Sequence, residues 1–101
     1  MSTAEAQSYI SLLKDTDVSV QYLALENILK VIDHAWPVIS QELITLENLY
    51  EDEYLERHPD HQYISAYIIS KIYYYLGNFD LAIKYALGSS KYFDPSIRQN
   101  D

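Results

Sequence analysis

The sequence predicts an all-α protein of about five helices, packed in antiparallel pairs as a short α-solenoid of the tetratricopeptide or HEAT type. Apolar residues make up 49% of the 101 residues, which is enough for the core of a single helical domain, residues 1–101. The chain has only two glycines and three prolines, and all five stand where a helix would begin or end. Apolar side chains recur every three or four residues along most of the chain, which is the spacing of one helix face.

The N-terminal part is predicted to form two amphipathic helices. The first covers residues 4–14, with Tyr9 and Leu13 on its apolar face. A turn rich in capping side chains follows, and Asp17 is the predicted N-cap of a second helix at residues 18–35. Polar side chains occupy the other face of this second helix, so it should pack by one apolar stripe.

Trp36 and Pro37 are predicted to mark the end of the second helix. Proline lacks the N–H that a helix interior requires, but it is well tolerated at the first helical position. We therefore expect a break near Trp36, with its ring wedged between helices, and a third helix that begins at Pro37 or Val38. The alternative is one long helix kinked at the proline. The third helix would carry its apolar stripe as far as Tyr50.

Residues 51–61 form an acidic segment, and we predict that they link two helical layers. Four carboxylates are expected to form an exposed patch that contacts a partner protein: Glu51, Asp52, Glu53 and Glu56. The side chains of His58, Asp60 and His61 are of metal-ligand type. The two histidines stand on either side of a proline and lack the i, i+4 spacing of a zinc site on a helix. A solvated loop without metal is therefore the prediction.

Residues 62–90 are predicted to form a central helical hairpin. Its first arm, residues 63–76, is apolar at almost every position and contains neither glycine nor proline. Its β-branched and aromatic side chains would by themselves favour a strand, but the length of the run is typical of a helix. A helix that is apolar nearly all round must be covered on several sides.

The hinge of this hairpin lies at residues 76–79. Gly77 can adopt the left-handed conformation that ends a helix, and Asn78 or Asp80 can cap the next helix. The second arm is expected to stop at Gly88. Its apolar positions have helical spacing: Phe79, Ala82, Ile83, Ala86 and Leu87. The small side chains of Ala82 and Ala86 would let this arm approach the first closely.

Eleven tyrosines are the unusual feature of the composition. We expect their rings in the core, with each hydroxyl reaching a partner group or solvent. The alternative is a tyrosine-rich surface that binds a partner protein. His34 beside Asp33 is interpreted as a surface or helix-end histidine, because adjacent helical residues do not face each other. No Ser, Thr or Lys is placed as a nucleophile beside Asp33 and His34, so we predict no catalytic residue. We also predict no cofactor and no metal site.

The net charge of −8 is unevenly distributed. Residues 1–61 carry twelve acidic against three basic side chains, whereas residues 62–101 carry three against four. The acidic part would repel nucleic acid and anionic membranes, and we expect neither as a partner. The absence of cysteine excludes disulfides and zinc–thiolate sites, and the longest apolar run is too short to span a bilayer.

Several blocks of residues, taken in order, carry a resemblance to a known family. They are residues 22–26, 31–33, 36, 39–40, 49–53, 70–77 and 82–88. Together they resemble the opening of the large non-ATPase subunit 2 of the 26S proteasome regulatory particle, over residues 10–93. The order of the blocks carries the resemblance, since a Leu-Gly turn followed by spaced alanines occurs in many tetratricopeptide-like hairpins.

The resemblance implies an N-terminal fragment of a longer helical scaffold without catalytic residues. In that family the region belongs to a helical rod, and the subunit organises the base of the regulatory particle and contacts the lid. Base and lid subunits are therefore the implied partners, in ubiquitin-dependent protein degradation, in the cytoplasm and nucleus. Residues 58–61 depart from the family pattern and receive no implied role. A solenoid cut between repeats leaves an apolar face uncovered, so we expect self-association through residues 79–93.

The alternative function is a free-standing peptide-binding adaptor of the tetratricopeptide type. Such an adaptor needs a concave groove with convergent polar or basic side chains, usually built from several repeats. Only one hairpin is clear in this sequence, and its faces carry few lysines. An acid–base or metal-dependent enzyme is the third class, and the spacing of the candidate residues argues against it.

Overall fold

The computed structural model describes residues 3–51 and 59–89, which form an all-α fold, as predicted. The helices are α1 (Thr3–Leu13), α2 (Val18–Ile39), α3 (Leu43–Glu51), α4 (Pro59–Leu76) and α5 (Phe79–Gly88). A 3-10 turn, Ser40–Glu42, joins α2 to α3 with no non-helical residue between them. The described residues therefore form 4 continuous helical stretches, and the prediction of about five is corrected. Solenoid packing in antiparallel pairs stays a prediction.

The predicted helix break at Trp36 and Pro37 is wrong, because α2 continues through both residues. Pro37 cannot donate a hydrogen bond to the carbonyl of Asp33, one turn earlier. Asp33 and Pro37 are both exposed, so water can form a hydrogen bond with the carbonyl of Asp33, and the helix tolerates the proline. The backbone tightens only in the 3-10 turn that begins at Ser40, where the N–H of Leu43 donates to the carbonyl of Ser40. The Ser40 hydroxyl donates a 2.9 Å hydrogen bond to the carbonyl of Pro37.

Two aspartates close the turn between α1 and α2. The Asp17 carboxylate accepts a 2.8 Å hydrogen bond from the N–H of Ser19, so the predicted N-cap is confirmed. The Asp15 carboxylate accepts a 2.8 Å hydrogen bond from the N–H of Asp17. Lys14, in the same turn, lies 3.2 Å from the carboxylate of Glu42 in the 3-10 turn. This pair is largely exposed and therefore adds little to stability.

The central helix is α4, which packs against α2, α3 and α5, whereas α1 packs mainly on α2. Four of its isoleucines are fully buried: Ile64, Ile68, Ile69 and Ile72. Because Ile68 and Ile69 are consecutive, more than one stripe of this helix is covered, which confirms the prediction for this arm. The helix begins at Pro59, earlier than the predicted residue 63, and proline suits the first turn of a helix.

The hinge between α4 and α5 is a Schellman motif. Gly77 has a φ of +84°, the left-handed conformation that the sequence predicts. Its N–H donates to the carbonyl of Tyr74, and the N–H of Asn78 donates to the carbonyl of Tyr73. The Asn78 side chain then accepts a 3.2 Å hydrogen bond from the N–H of Leu81, so Asn78 is the cap of α5.

The core extends across all five helices. Its largest fully buried apolar side chains are Leu13, Leu25, Ile28, Ile32, Ile39, Leu46, Ile64, Ile68, Ile69 and Ile72. Burying side chains of this size contributes about 1.5–3 kcal/mol each. Among the helices of residues 3–51 and 59–89, no one combines the length and the apolar character that crossing a membrane requires.

Candidate functional site

One carboxylate on α3 binds both arms of the hairpin. Oε1 of Glu47 accepts a 2.9 Å hydrogen bond from the hydroxyl of Tyr73 on α4. Its other oxygen, Oε2, accepts a 3.0 Å hydrogen bond from the hydroxyl of Tyr85 on α5. We call Glu47, Tyr73, Tyr85 and the adjoining Tyr50 the Glu47 cluster. Hydrogen bonds to a charged acceptor are about twice as strong as neutral ones, so this carboxylate ties three helices together.

The tyrosine rings of the Glu47 cluster also pack against one another. Tyr73 and Tyr85 stack with ring centroids 5.8 Å apart and an interplanar angle of 16°. Tyr50 meets Tyr85 edge-on, with centroids 5.4 Å apart. Tyr85 is only 3% exposed. Such aromatic pairs add about 0.5–1.5 kcal/mol beyond the area they bury, so the cluster is held by apolar and polar contacts at once.

The hydroxyls of Tyr73 and Tyr85 are held in their protonated form. Burial, followed by the hydrogen bond to Glu47, raises the pKa of Tyr73 to about 12. The same two causes, in the same order, raise the pKa of Tyr85 above its ordinary value. A tyrosine that stays protonated is a hydrogen-bond donor and not a base. The cluster is therefore suited to holding helices together and unsuited to proton abstraction at neutral pH.

Gly88 brings the end of α5 close to the Glu47 cluster. A Cβ at this position would lie 2.6 Å from the hydroxyl oxygen of Tyr50 and 3.7 Å from Cβ of Ala66. The carbonyl of Tyr50 accepts a 3.1 Å hydrogen bond from the side chain of Gln62, at the start of α4. Gly88, where the sequence predicts the end of the second arm, thus stands where α3, α4 and α5 come together.

A second group of contacts joins α2 to α4. The Asp33 carboxylate accepts a 2.6 Å hydrogen bond from the hydroxyl of Tyr75 and a 3.0 Å one from Nζ of Lys71. These two contacts, in that order, lower the pKa of Asp33. Trp36 stacks on Tyr75 with centroids 5.2 Å apart and an interplanar angle of 10°. Trp36 therefore packs between helices from a position inside α2 and not from a helix junction. The neighbouring His34 is exposed, as predicted.

Only part of the predicted apolar face of α5 is buried. Ala82 is buried, and its carbonyl accepts a 2.9 Å hydrogen bond from the hydroxyl of Ser70, which brings the two helices close. Phe79, Ile83, Ala86 and Leu87 are exposed. The ring of Phe79 still contacts the first arm, with its centroid 5.8 Å from that of Tyr74. Tyr85 is the aromatic residue of α5 that is buried against α3 and α4.

The acidic segment lies mostly outside the described residues. Glu51 is exposed at the end of α3, while Asp52, Glu53 and Glu56 are among the residues not described, as is His58 in the predicted loop. The role of these carboxylates as a partner contact stays a prediction. His61 is in α4 and not in a solvated loop, since it is 8% exposed and stacks on Tyr22 with centroids 4.3 Å apart. Within the described part of the chain, no three side chains of metal-ligand type gather.

Glu47 is the residue that sequence reasoning missed. Its partners stand 26 and 38 residues further along the chain, so no local spacing connects them. The tyrosines themselves were a signal, because a buried tyrosine hydroxyl needs a partner. For Tyr73 and Tyr85, the prediction of rings in the core whose hydroxyls reach a partner is confirmed. The hydroxyl of Tyr75 also reaches a partner, but its ring is not part of the core cluster.

The fold and these contacts define a class: an all-helical domain in which polar side chains join neighbouring helices. The family model of the 26S proteasome subunit RPN2, N-terminal domain, matches residues 4–100 of this chain. The chain belongs to that family.

Relatives in fungi and animals support this assignment. The 26S proteasome regulatory subunit RPN2 of Saccharomyces cerevisiae is 39% identical over 94 residues, which are 93% of this chain and 10% of that protein. RPN2 of Eremothecium gossypii is 37% identical, again over 93% of this chain and 10% of that protein. The 26S proteasome non-ATPase regulatory subunit 1 of Drosophila melanogaster is 34% identical over 97% of this chain and 9% of its own length. The chain thus spans about a tenth of the length of the relatives it matches.

Proposed function

We propose that this chain is a non-catalytic scaffold segment of the 26S proteasome regulatory particle. It presents helix faces in fixed orientations to neighbouring base and lid subunits, and so supports ubiquitin-dependent protein degradation in the cytoplasm and nucleus. The observation that carries the proposal is the Glu47 cluster, in which one carboxylate joins α3, α4 and α5.

A scaffold works by resisting relative movement of its helices. Every helix that packs on α4 is also linked to it by a polar contact: α3 through Glu47, α5 through Ser70, and α2 through Asp33. Hydrogen bonds are directional, so each of them favours one relative placement of the two helices that it joins. The polar side chains of α4 therefore serve rigidity, which is what a scaffold requires.

The distribution of charge supports a role for the acidic half in binding. Twelve of the fifteen acidic side chains lie in residues 1–61. A partner that binds there would present lysine and arginine, because complementary potentials speed encounter and suppress wrong partners. We propose that the exposed Glu51 and the adjacent Asp52, Glu53 and Glu56 form one such contact.

The test is affinity purification of the tagged chain from its source cells. We expect subunits of the regulatory particle to copurify in fixed proportion. Their recovery should fall for a variant in which Glu51 and Asp52 are both changed to lysine, most clearly at low salt, where charges are least screened. Ile28→Asp, which places a charge in the core of α2, is the unfolded control. Recovery of unrelated proteins with both the wild type and the control, or of no partner, would overturn the proposal.

The peptide-binding adaptor remains the second candidate, favoured by a groove between α4 and α5 of about 560 Å³. Tyr67, Tyr74 and Phe79 line this groove, and Lys71 is its single cation. Lys71 is already paired with Asp33 at 3.0 Å, so the groove offers little to a peptide carboxylate. Recovery of diverse client peptides, in place of stoichiometric proteasome subunits, would favour the adaptor.

A further inference from the structure

Two buried polar side chains stand one turn apart on α4. Ser65 is 0% exposed, and its hydroxyl oxygen has no hydrogen-bond partner within the part of the chain that the structure describes. Nδ1 of His61, four residues earlier, is buried as well. Residues at i and i+4 lie on the same face of a helix, so the two side chains are neighbours.

The hydroxyl of Ser65 differs from those of other serines in this fold. The hydroxyls of four other described serines each donate to a backbone carbonyl: Ser8, Ser40, Ser70 and Ser89. Ser65 makes no such bond. A buried hydroxyl without a hydrogen bond destabilises a fold, because the unfolded chain hydrogen-bonds it to water. Such groups in native proteins are therefore nearly always paired, with protein atoms or with an ordered water molecule.

The face of α4 that carries both side chains packs against α2. The ring of His61 stacks on Tyr22 of α2, with centroids 4.3 Å apart and an interplanar angle of 24°. Further along this face the residues are fully buried isoleucines: Ile68, Ile69 and Ile72. Serine is smaller than isoleucine by about two heavy atoms, so at an unchanged helix separation the space beside Ser65 suits about one water molecule.

We propose that one ordered water molecule binds between α2 and α4 and joins the hydroxyl of Ser65 to Nδ1 of His61. The Ser65 hydroxyl donates its proton to the water oxygen, and the water donates one of its protons to Nδ1. This arrangement requires a neutral imidazole whose proton is on Nε2. A buried water makes about two to four hydrogen bonds, and these two meet that minimum.

The water secures the first turns of α4 on α2. The helix begins at Pro59, so His61 and Ser65 lie in its first two turns, before the buried isoleucines at 68, 69 and 72. The hydrogen bond to Nδ1 fixes the rotation of the His61 ring, and with it the stacking on Tyr22. The site is internal to the chain and does not depend on the scaffold function.

The first test compares two serine-to-alanine substitutions in helices. Ser11 is exposed on α1, so Ser11→Ala is the matched control with a similar gain in helix propensity. Ser65→Ala should have a lower urea midpoint than Ser11→Ala, because the water loses a partner and the alanine does not fill its place. A midpoint for Ser65→Ala at or above that of Ser11→Ala would overturn the proposal, since it would mean that the hydroxyl is unsatisfied.

The second test detects the water itself. Magnetic relaxation dispersion of the water oxygen counts long-lived bound water molecules in solution. The wild type should hold one such molecule more than Ser65→Ala, and Ser11→Ala should equal the wild type. Equal counts for the wild type and Ser65→Ala would overturn the proposal. They would mean that the Ser65 hydroxyl bonds directly to a protein atom, such as the carbonyl one turn earlier.

The third test observes the other end of the bridge. Nitrogen NMR of the imidazole rings, at a pH where they are neutral, shows which nitrogen carries the proton and whether the other accepts a hydrogen bond. We expect the proton of His61 on Nε2, and an Nδ1 resonance that moves toward the position of an unbonded nitrogen in Ser65→Ala. His34, which is exposed, is the internal reference and should not shift. A proton on Nδ1 of His61, or an Nδ1 resonance that Ser65→Ala leaves unchanged, would contradict the bridge.

Discussion

Glu47 and Tyr85 lie 38 residues apart in the sequence, and the tyrosine hydroxyl donates a 3.0 Å hydrogen bond to the glutamate carboxylate. The other carboxylate oxygen accepts a hydrogen bond from Tyr73 at 2.9 Å. A single side chain of α3 thereby fixes the position of both arms of the hairpin. The rigidity on which a scaffold function depends is concentrated in this contact.

Removal of the carboxylate should destabilise the fold. Glu47→Ala is expected to lower the free energy of unfolding by about 2–3 kcal/mol, because two hydroxyls lose a charged acceptor. Tyr85→Phe should cost about 1–2 kcal/mol, since one such bond is lost and the ring remains. Urea denaturation measures both. Tyr74→Phe, at an exposed ring, is the control and should change the free energy of unfolding by less than about 0.5 kcal/mol. A Glu47→Ala chain as stable as the wild type would contradict the role of the Glu47 cluster.

The Glu47 cluster should also make the fold sensitive to alkaline pH. The pKa of Tyr73 is raised from an ordinary 10.0 to about 12, and that of Tyr85 is raised as well. A raised pKa means that the folded state keeps protons that the unfolded state has released. The stability gained is therefore complete below about pH 10 and is lost as the pH rises toward 12 and beyond.

The measurement is the urea midpoint followed from neutral pH to about pH 12. The midpoint of the wild type should fall steadily above about pH 10. The double variant Tyr73→Phe, Tyr85→Phe should be less stable at neutral pH and should fall less steeply. Parallel curves for the two chains would show that these hydroxyls do not carry the pH dependence.

Gly77 should be sensitive to any side chain that resists positive φ. Gly77→Val is expected to destabilise the hairpin by on the order of 1 kcal/mol or more. Nothing lies within 4 Å of a Cβ built at this position, so the cost would come from the backbone conformation and not from a clash. Gly77→Asn, a residue that tolerates this conformation, should cost less. Equal denaturation midpoints for the wild type and the valine variant would refute this assignment.

Gly88 should be sensitive for a different reason. Its φ is not positive, but a Cβ would lie 2.6 Å from the hydroxyl oxygen of Tyr50, whose ring is packed against Tyr85. Gly88→Ala should therefore cost about 1–3 kcal/mol through overpacking. Tyr50→Phe removes the obstructing oxygen, so the alanine should cost clearly less in that background. Additive effects of the two substitutions would argue against a direct contact.

The features that could be predicted from the sequence are those with local causes. The Asp17 cap and the Gly77–Asn78 hinge each depend on residues within one turn, and the structure confirms both. The all-α class follows from spacing and punctuation along the whole chain. These features can be predicted without knowing which helices pack against each other.

The features that could not be predicted depend on the environment that the fold creates. Pro37 does not end α2, because the carbonyl that it leaves unpaired is on an exposed side of the helix. Phe79 shares its spacing with Ala82, yet only the alanine is buried, because contacts of Ser70 and Tyr85 set the rotation of α5. Glu47 was missed because both of its partners are on other helices.

Native-state hydrogen exchange tests most directly whether α3, α4 and α5 move as one body. We predict that core amides of the three helices share a single free energy of opening in the wild type. In Glu47→Ala, the amides of α5 should open at a lower free energy than those of α4. If α5 already opens separately in the wild type, and Glu47→Ala changes nothing, the Glu47 cluster does not hold the helices together and the scaffold account fails.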